Sequence, residues 1–143
     1  LPPRTKKNSQ QITKSGIIIQ SKAYRQYEKD CGWFIPRCEP INYPVNLKAV
    51  FYIDADRKSD LVGYLQAIQD ILVKYGVLED DNRKIVHTVD GSCVEVDKKN
   101  PRTEIEITDK FENINYNDQP DGAETIGRAY FKDGETCKKL SEF

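Results

Sequence analysis

Between Leu61 and Tyr75 the apolar residues Leu61, Leu65, Ile68, Leu72 and Tyr75 recur at i, i+4, i+7, i+11 and i+14. That spacing keeps one side of an α-helix apolar along its whole length. Ser59 or Asp60 can cap its first turn, where a carboxylate also complements the helix dipole. Gly76 stands where such a helix stops. Gly63, Gln66, Asp70 and Lys74 fall on the opposite side. Just upstream, Val45–Ile53 alternates: Val45, Leu47, Ala49, Phe51 and Ile53 share one face of a strand, and Asn46, Lys48 and Tyr52 point the other way, with Val50 the exception. Asp54 to Ser59 breaks the chain between them.

Other segments add to this frame. Gly16–Gln20 is β-branched and reads as a strand. Ser21 offers a cap for a helix over Lys22–Phe34, whose Tyr24, Tyr27, Cys31 and Phe34 share a face, and Pro36 and Pro40 end it. Lys84–Val89, Cys93–Val96 and Arg102–Thr108 read as strands, with a hairpin-type turn at Asp90-Gly91. In the last strand Thr103, Ile105 and Ile107 point in, and Glu104 and Glu106 point out. This order predicts an α+β domain, a small mixed β-sheet packed against two helices. The domain runs over residues 1–109. Residues 110–143 form an acidic extension, with loop over Asp109–Gly127 and a short helix within Glu135–Phe143.

At 143 residues the chain has one domain's length. With 38% hydrophobic and 31% charged residues it is neither fully disordered nor a membrane protein. Its longest apolar run, Ala49–Ile53, is far short of a membrane span. One His and four Cys, of which Cys31 and Cys38 lie closest, argue against a zinc site. The thiols are expected to be reduced in a cytoplasmic protein, with Cys31 a small core hydrophobe. The sequence has no Met and opens on Leu1, which leaves room for a strand ahead of it.

A net charge of -1 hides a gradient. Residues 1–25 carry 6 bases and no acid, residues 26–103 carry 11 bases and 13 acids, and residues 104–143 carry 5 bases and 10 acids. A basic arm neutralises phosphates and releases counterions. The acids gather round the second helix: Asp54, Asp56 and Asp60 before or at its start, Asp70 on it, and Glu79, Asp80 and Asp81 after it. Such oxygen donors suit Mg²⁺ or Mn²⁺. A helix from Asp60 to Gly76 is ~24 Å long. An extended return of five residues covers ~16 Å and carries Asp81 back alongside it, with Asp70 between. Solvated loop acids are the plain alternative. The single His87 sits inside a strand, no phosphate-binding glycine loop occurs, and Arg83-Lys84 and Lys98-Lys99 read as surface charge.

Several stretches carry a likeness in the same order: Leu1-Pro2-Pro3-Arg4-Thr5-Lys6-Lys7-Asn8-Ser9, Ser21-Lys22-Ala23-Tyr24-Arg25, Arg57-Lys58-Ser59-Asp60-Leu61 with Ala67 and Asp70, Gly76-Val77-Leu78-Glu79-Asp80-Asp81, and Arg102 to Ile107. Together they resemble the RusA-type Holliday-junction resolvases over Leu1–Thr108. The resemblance implies a homodimer that binds four-way or branched DNA and nicks two strands by metal-dependent phosphodiester hydrolysis, in DNA recombination and repair and of phage or prophage origin. It also implies that Asp60, Asp70 and Asp81 hold Mg²⁺ (or Mn²⁺) and carry catalysis, with Asp80 matching the first member of the acidic pair and either Asp70 or Asp80 supplying the ligand that Val62 lacks. Lys6, Lys7, Lys22 and Arg25 become phosphate contacts. The family pattern Asp-x-Asp-Asn-x-x-Lys-x-x-x-Asp is broken at Val62, Gly63 and Gln66. Two alternatives stand beside this reading: a catalytically weakened binder of branched DNA, and a protein–protein adaptor working through the acidic tail.

Overall fold

In the computed structural model the described residues are 1–6, 10–56 and 58–109, together with the backbone of 129–130 and 136–137. The elements follow as β1 (Gln10–Ile12), β2 (Ile18–Gln20), α1 (Lys22–Cys31), β3 (Val45–Ile53), α2 (Leu61–Lys74), β4 (Val86–Thr88), β5 (Cys93–Val96), β6 (Arg102–Asp109), β7 (Ala129–Tyr130) and β8 (Thr136–Cys137). The mixed sheet is built around β3. Along one edge β4 and then β5 run parallel to it, and along the other β6 runs antiparallel from Val45↔Asp109 to Tyr52↔Arg102.

The core is the set of faces read above. Leu47, Ala49, Phe51 and Ile53 of β3 are buried with Ile105 and Ile107 of β6, Leu65, Ile68 and Leu72 of α2, and Tyr24, Tyr27 and Cys31 of α1. Phe51 stacks on Tyr64 of α2 with ring centroids 5.2 Å apart. That contact fixes the helix over the strand that precedes it. Parallel neighbours need a long connection, and α2 is that connection between β3 and β4. Gly76 turns the chain with φ +75°. The return is secured by the Ile41 N–H on the Val77 carbonyl (2.9 Å) and the Glu79 N–H on the Ile41 carbonyl (3.0 Å).

The structure corrects four expectations. Asp90-Gly91 does not close a hairpin: β4 and β5 lie end to end along one edge of β3 and do not pair. Gly91 does take a positive φ (83°), and the turn steps the chain sideways between the two strands. Side chains fill the break. Asn46 Oδ1 accepts the Thr88 hydroxyl (2.6 Å) and the Asp90 N–H (2.8 Å), Asn46 Nδ2 donates to the Asp90 backbone carbonyl (3.2 Å), and the Ala49 N–H donates to Ser92 Oγ (3.0 Å). Buried backbone groups left open by the gap are thereby satisfied. Second, α1 stops at Cys31. Gly32 lies against the Tyr75 ring, where a Cβ would come within 2.5 Å of it, and Ile35 rather than Phe34 enters the core. Third, the strand near Gly16–Gln20 belongs to a separate hairpin with β1, outside the main sheet. Fourth, Asp109 ends β6 rather than opening a loop, and Thr136–Cys137, inside the expected Glu135–Phe143 helix, is a strand paired with Ala129–Tyr130. The β-branched Thr136 suits that pairing. The rest of 110–143 lies outside the described residues.

Candidate active site

The acidic face is built by α2 and by the chain that folds back along it. Asp60 caps α2: its Oδ1 accepts the Val62 N–H at 3.2 Å. Asp70 sits ten residues on, ~15 Å along the axis, so the two carboxylates cannot share one ion. Asp70 is half-buried and ion-paired with Lys6 of the amino-terminal arm. Asp81, delivered by the return after Gly76, lies in the field of Asp70. Although Asp81 is largely exposed, its carboxyl is held above the usual aspartate range, first by partial desolvation, then by a hydrogen bond shared with Asp80, then by the charges of Asp70 and Asp80. Asp80 is pushed the other way. It accepts the Asn82 side-chain amide (2.6 Å) and the Asp81 N–H (2.8 Å), and these bonds favour its charged form. The adjacent aspartates thus differ: Asp80 anchors the turn, and Asp81 feels the charge of Asp70.

Tyr24 of α1 completes the wall. It is buried, its hydroxyl finds no hydrogen-bond partner among the described residues, and its pKa is raised by burial and then by the charges of Glu28 and Asp70. A neutral O–H donor therefore stands within the field of the Asp70 carboxylate. Lys74 Nζ on Glu28 (2.7 Å) and the Tyr75 hydroxyl on the Glu28 carbonyl (3.0 Å) tie α1 to α2 and hold the wall in place.

Among the described residues no three His, Cys, Asp or Glu side chains converge as a metal centre. Of the expected set Asp60, Asp70 and Asp81, Asp60 and Asp70 stand at separate turns of α2, and Asp81 lies within the electrostatic reach of Asp70. Asp70 and Asp81 nevertheless fit a hard cation. Their donors are all oxygen, their mutual repulsion asks for positive charge, and the ammonium of Lys6 already stands in for it on Asp70. Asp54 and Asp56 are exposed in the loop before α2. His87 is exposed on the short β4 and faces no catalytic partner among the described contacts.

The basic residues separate into two groups. Lys6 is engaged by Asp70, and Lys7 lies outside the described residues. Lys22 and Arg25 are exposed on the solvent side of α1, and Lys29, one turn beyond Arg25, is exposed with them. Lys29 was missed in the sequence reading, although its i, i+3, i+7 spacing with Lys22 and Arg25 is the signal for it. Arg102 is not a free cation: its guanidinium lies 3.7 Å from the Tyr52 ring and pairs with Asp97 (2.8 Å) and Glu104 (3.0 Å).

A family model described as endodeoxyribonuclease RusA matches residues 1–108. The chain belongs to the RusA family. That family consists of endodeoxyribonucleases that resolve Holliday junctions. None of the curated proteins compared matches the chain. No helix among the described residues is long and apolar enough to cross a membrane.

Where this RusA-family chain departs from the family pattern, the structure gives each residue a place. Val62, at the second aspartate, is 69% exposed in the first turn of α2 beside Asp60. Gln66 is exposed one turn before Asp70. Gly63 is buried under the amino-terminal arm: a Cβ there would lie 3.4 Å from Thr5 Cγ2 and from the Asp60 carboxylate. The arm crosses α2 at its glycine and reaches Asp70 through Lys6, so both ends of the acidic face are tied to one segment.

Proposed function

We propose that this protein is a structure-specific endodeoxyribonuclease that resolves Holliday junctions by Mg²⁺- or Mn²⁺-dependent phosphodiester hydrolysis. The observation that carries this reading is the match of residues 1–108 to the RusA family, a segment in which the charge of Asp70 acts on Asp81 after the fold-back of α2. Asp70 and Asp81 would hold the metal. When bound, such an ion lowers the pKa of a water and offsets the charge developing on the scissile phosphate. Lys6 would leave Asp70 for a phosphate, Tyr24 would offer its O–H to the oxygens crowded at Asp70, and Lys22, Arg25 and Lys29 would hold the flanking backbone. Asp60, apart from the pair, keeps the first turn of α2 aligned through its cap. A homodimer would set two such sites for the two strands cut. A role in DNA recombination and repair and an origin in a phage or prophage follow from the same reading.

The test is cleavage of a synthetic four-way junction by wild type and Asp81→Asn with Mg²⁺ or Mn²⁺. The expected outcome is symmetric nicking by wild type and loss of at least a hundredfold in rate for the variant. Equal rates would sink the assignment. A second reading is favoured by the exposed Val62 in place of a carboxylate: a binder of branched DNA with weakened catalysis. For that reading, wild type binds junctions without cutting them, and Val62→Asp gains metal-dependent nicking.

A further inference from the structure

Among the described residues, the largest group of exposed apolar side chains is not near the acidic face. It is the β1–β2 hairpin, where Ile12 is 75%, Ile17 60%, Ile18 62% and Ile19 38% exposed. Ile12 and Ile18 are cross-strand partners and share one face. Ile17 and Ile19 alternate with Ile18 and point to the other face. A two-stranded ribbon apolar on both faces is marginal by itself in water, and such a patch marks a site of interaction. Its tip is nonetheless firmly built. The Thr13 N–H donates to the Ile17 carbonyl (2.9 Å), the Gly16 N–H to the Thr13 carbonyl (2.9 Å), and the Ile17 N–H to Thr13 Oγ1 (3.0 Å), with Gly16 at φ +80°. This is a three-residue turn closed by a glycine in the left-handed region, so the ribbon keeps its shape outside the core.

Charge selects the occupant. No acid precedes Glu28 in the sequence. Lys14 stands at the tip, and Lys22 and Arg25 stand just past the base. A second copy docked symmetrically on this ribbon would bring the same cations face to face. A phosphate-lined partner with an apolar slot meets both requirements. Branched DNA has that slot in its open form, where the base-pair faces at the branch point are not stacked on one another. In an intact duplex an apolar wedge must first unstack a step, a cost that a branch point does not impose.

We propose that the β1–β2 hairpin is an apolar wedge that enters the open centre of branched DNA, with Ile12 and Ile18 against exposed base-pair faces and Lys14 against phosphate. The inference rests on the branched-DNA reading above and adds the element that distinguishes a branch from a duplex. The experiment uses the full chain, an immobile four-way junction carrying 2-aminopurine beside its branch point, and a linear duplex of the same arms. Wild type is expected to prefer the junction and to raise the 2-aminopurine fluorescence. The Ile12→Ser/Ile18→Ser variant is expected to lose tenfold or more in junction affinity, to keep duplex affinity within twofold, and to lose the fluorescence rise. Ile12→Phe, which keeps an apolar wedge, retains both. A double variant that still prefers the junction and still raises the fluorescence overturns this inference alone. So does a double variant whose defect is a change in sedimenting mass, because the ribbon would then be a surface between copies. Wild type with no preference for the junction overturns the functional reading, and this inference with it.

Discussion

At the scale of single residues, Asp81 links the site to stability. Its folded pKa lies above the ordinary aspartate value, so the native state takes up the proton more readily than the unfolded chain does. The stabilising contribution is complete below the unfolded pKa and is lost as pH rises through the folded one. At neutral pH the ionised group is therefore a net cost. Asp81→Asn should raise the unfolding free energy at pH 7 in the presence of a chelator, by less than ~1 kcal/mol because the site is exposed and screened, read as a higher melting temperature. The gain should vanish near pH 3. Added Mg²⁺ should stabilise wild type and leave Asp81→Asn unmoved. Gly63 gives a second residue-scale prediction. The Cβ it lacks would make ordinary contacts with Thr5 and Asp60, so Gly63→Ala should stabilise the protein by ~1 kcal/mol through helix propensity, read by urea melts.

At the scale of elements, alternation and helical spacing placed β3 at Val45–Ile53 and α2 after Asp60, because a side chain's period follows directly from backbone geometry. Strand pairing was not legible in the same way. The Asp90-Gly91 signal reports a positive φ, which both a hairpin and a sideways step can use. Only the partners of Asn46 and Ser92 decide between them. Asn46→Ala would strand the Thr88 hydroxyl and the Asp90 N–H, both hydrogen-bonded to it. The expected loss is 1–3 kcal/mol, or about that of leaving buried polar groups unpaired, measured by chemical denaturation with the β4–β5 amides exchanging first. The end of α1 was misplaced for a related reason. Phe34 continues the apolar spacing, yet Gly32 must pass the Tyr75 ring, a contact from a distant part of the chain.

At the scale of the whole molecule, the charge gradient becomes two surfaces. One is the solvent face of α1 with Lys22, Arg25 and Lys29, and the other is the run of aspartates on α2 and the turn after it. Duplex and junction binding should both weaken with salt, and each of the three α1 cations replaced by Ala should reduce the slope of log K against log salt by ~0.9. Equal slopes for wild type and the triple variant would move the phosphate contacts elsewhere. Lys6 should behave differently. Because it is tied to Asp70, Lys6→Ala should change metal dependence more than salt dependence, compared by Mg²⁺ titration of thermal stability.

The sequence by itself determined which faces are apolar, where the two helices begin, and that aspartates would crowd the second helix and the turn after it. Those are local properties, fixed by period, capping and composition. The tertiary structure decided that Asp81 lies within the electrostatic reach of Asp70, that Lys6 is spent on a carboxylate, and that β4 and β5 share one edge of β3. Each depends on where a chain lands after it leaves its own element, which is set by packing between residues far apart in sequence.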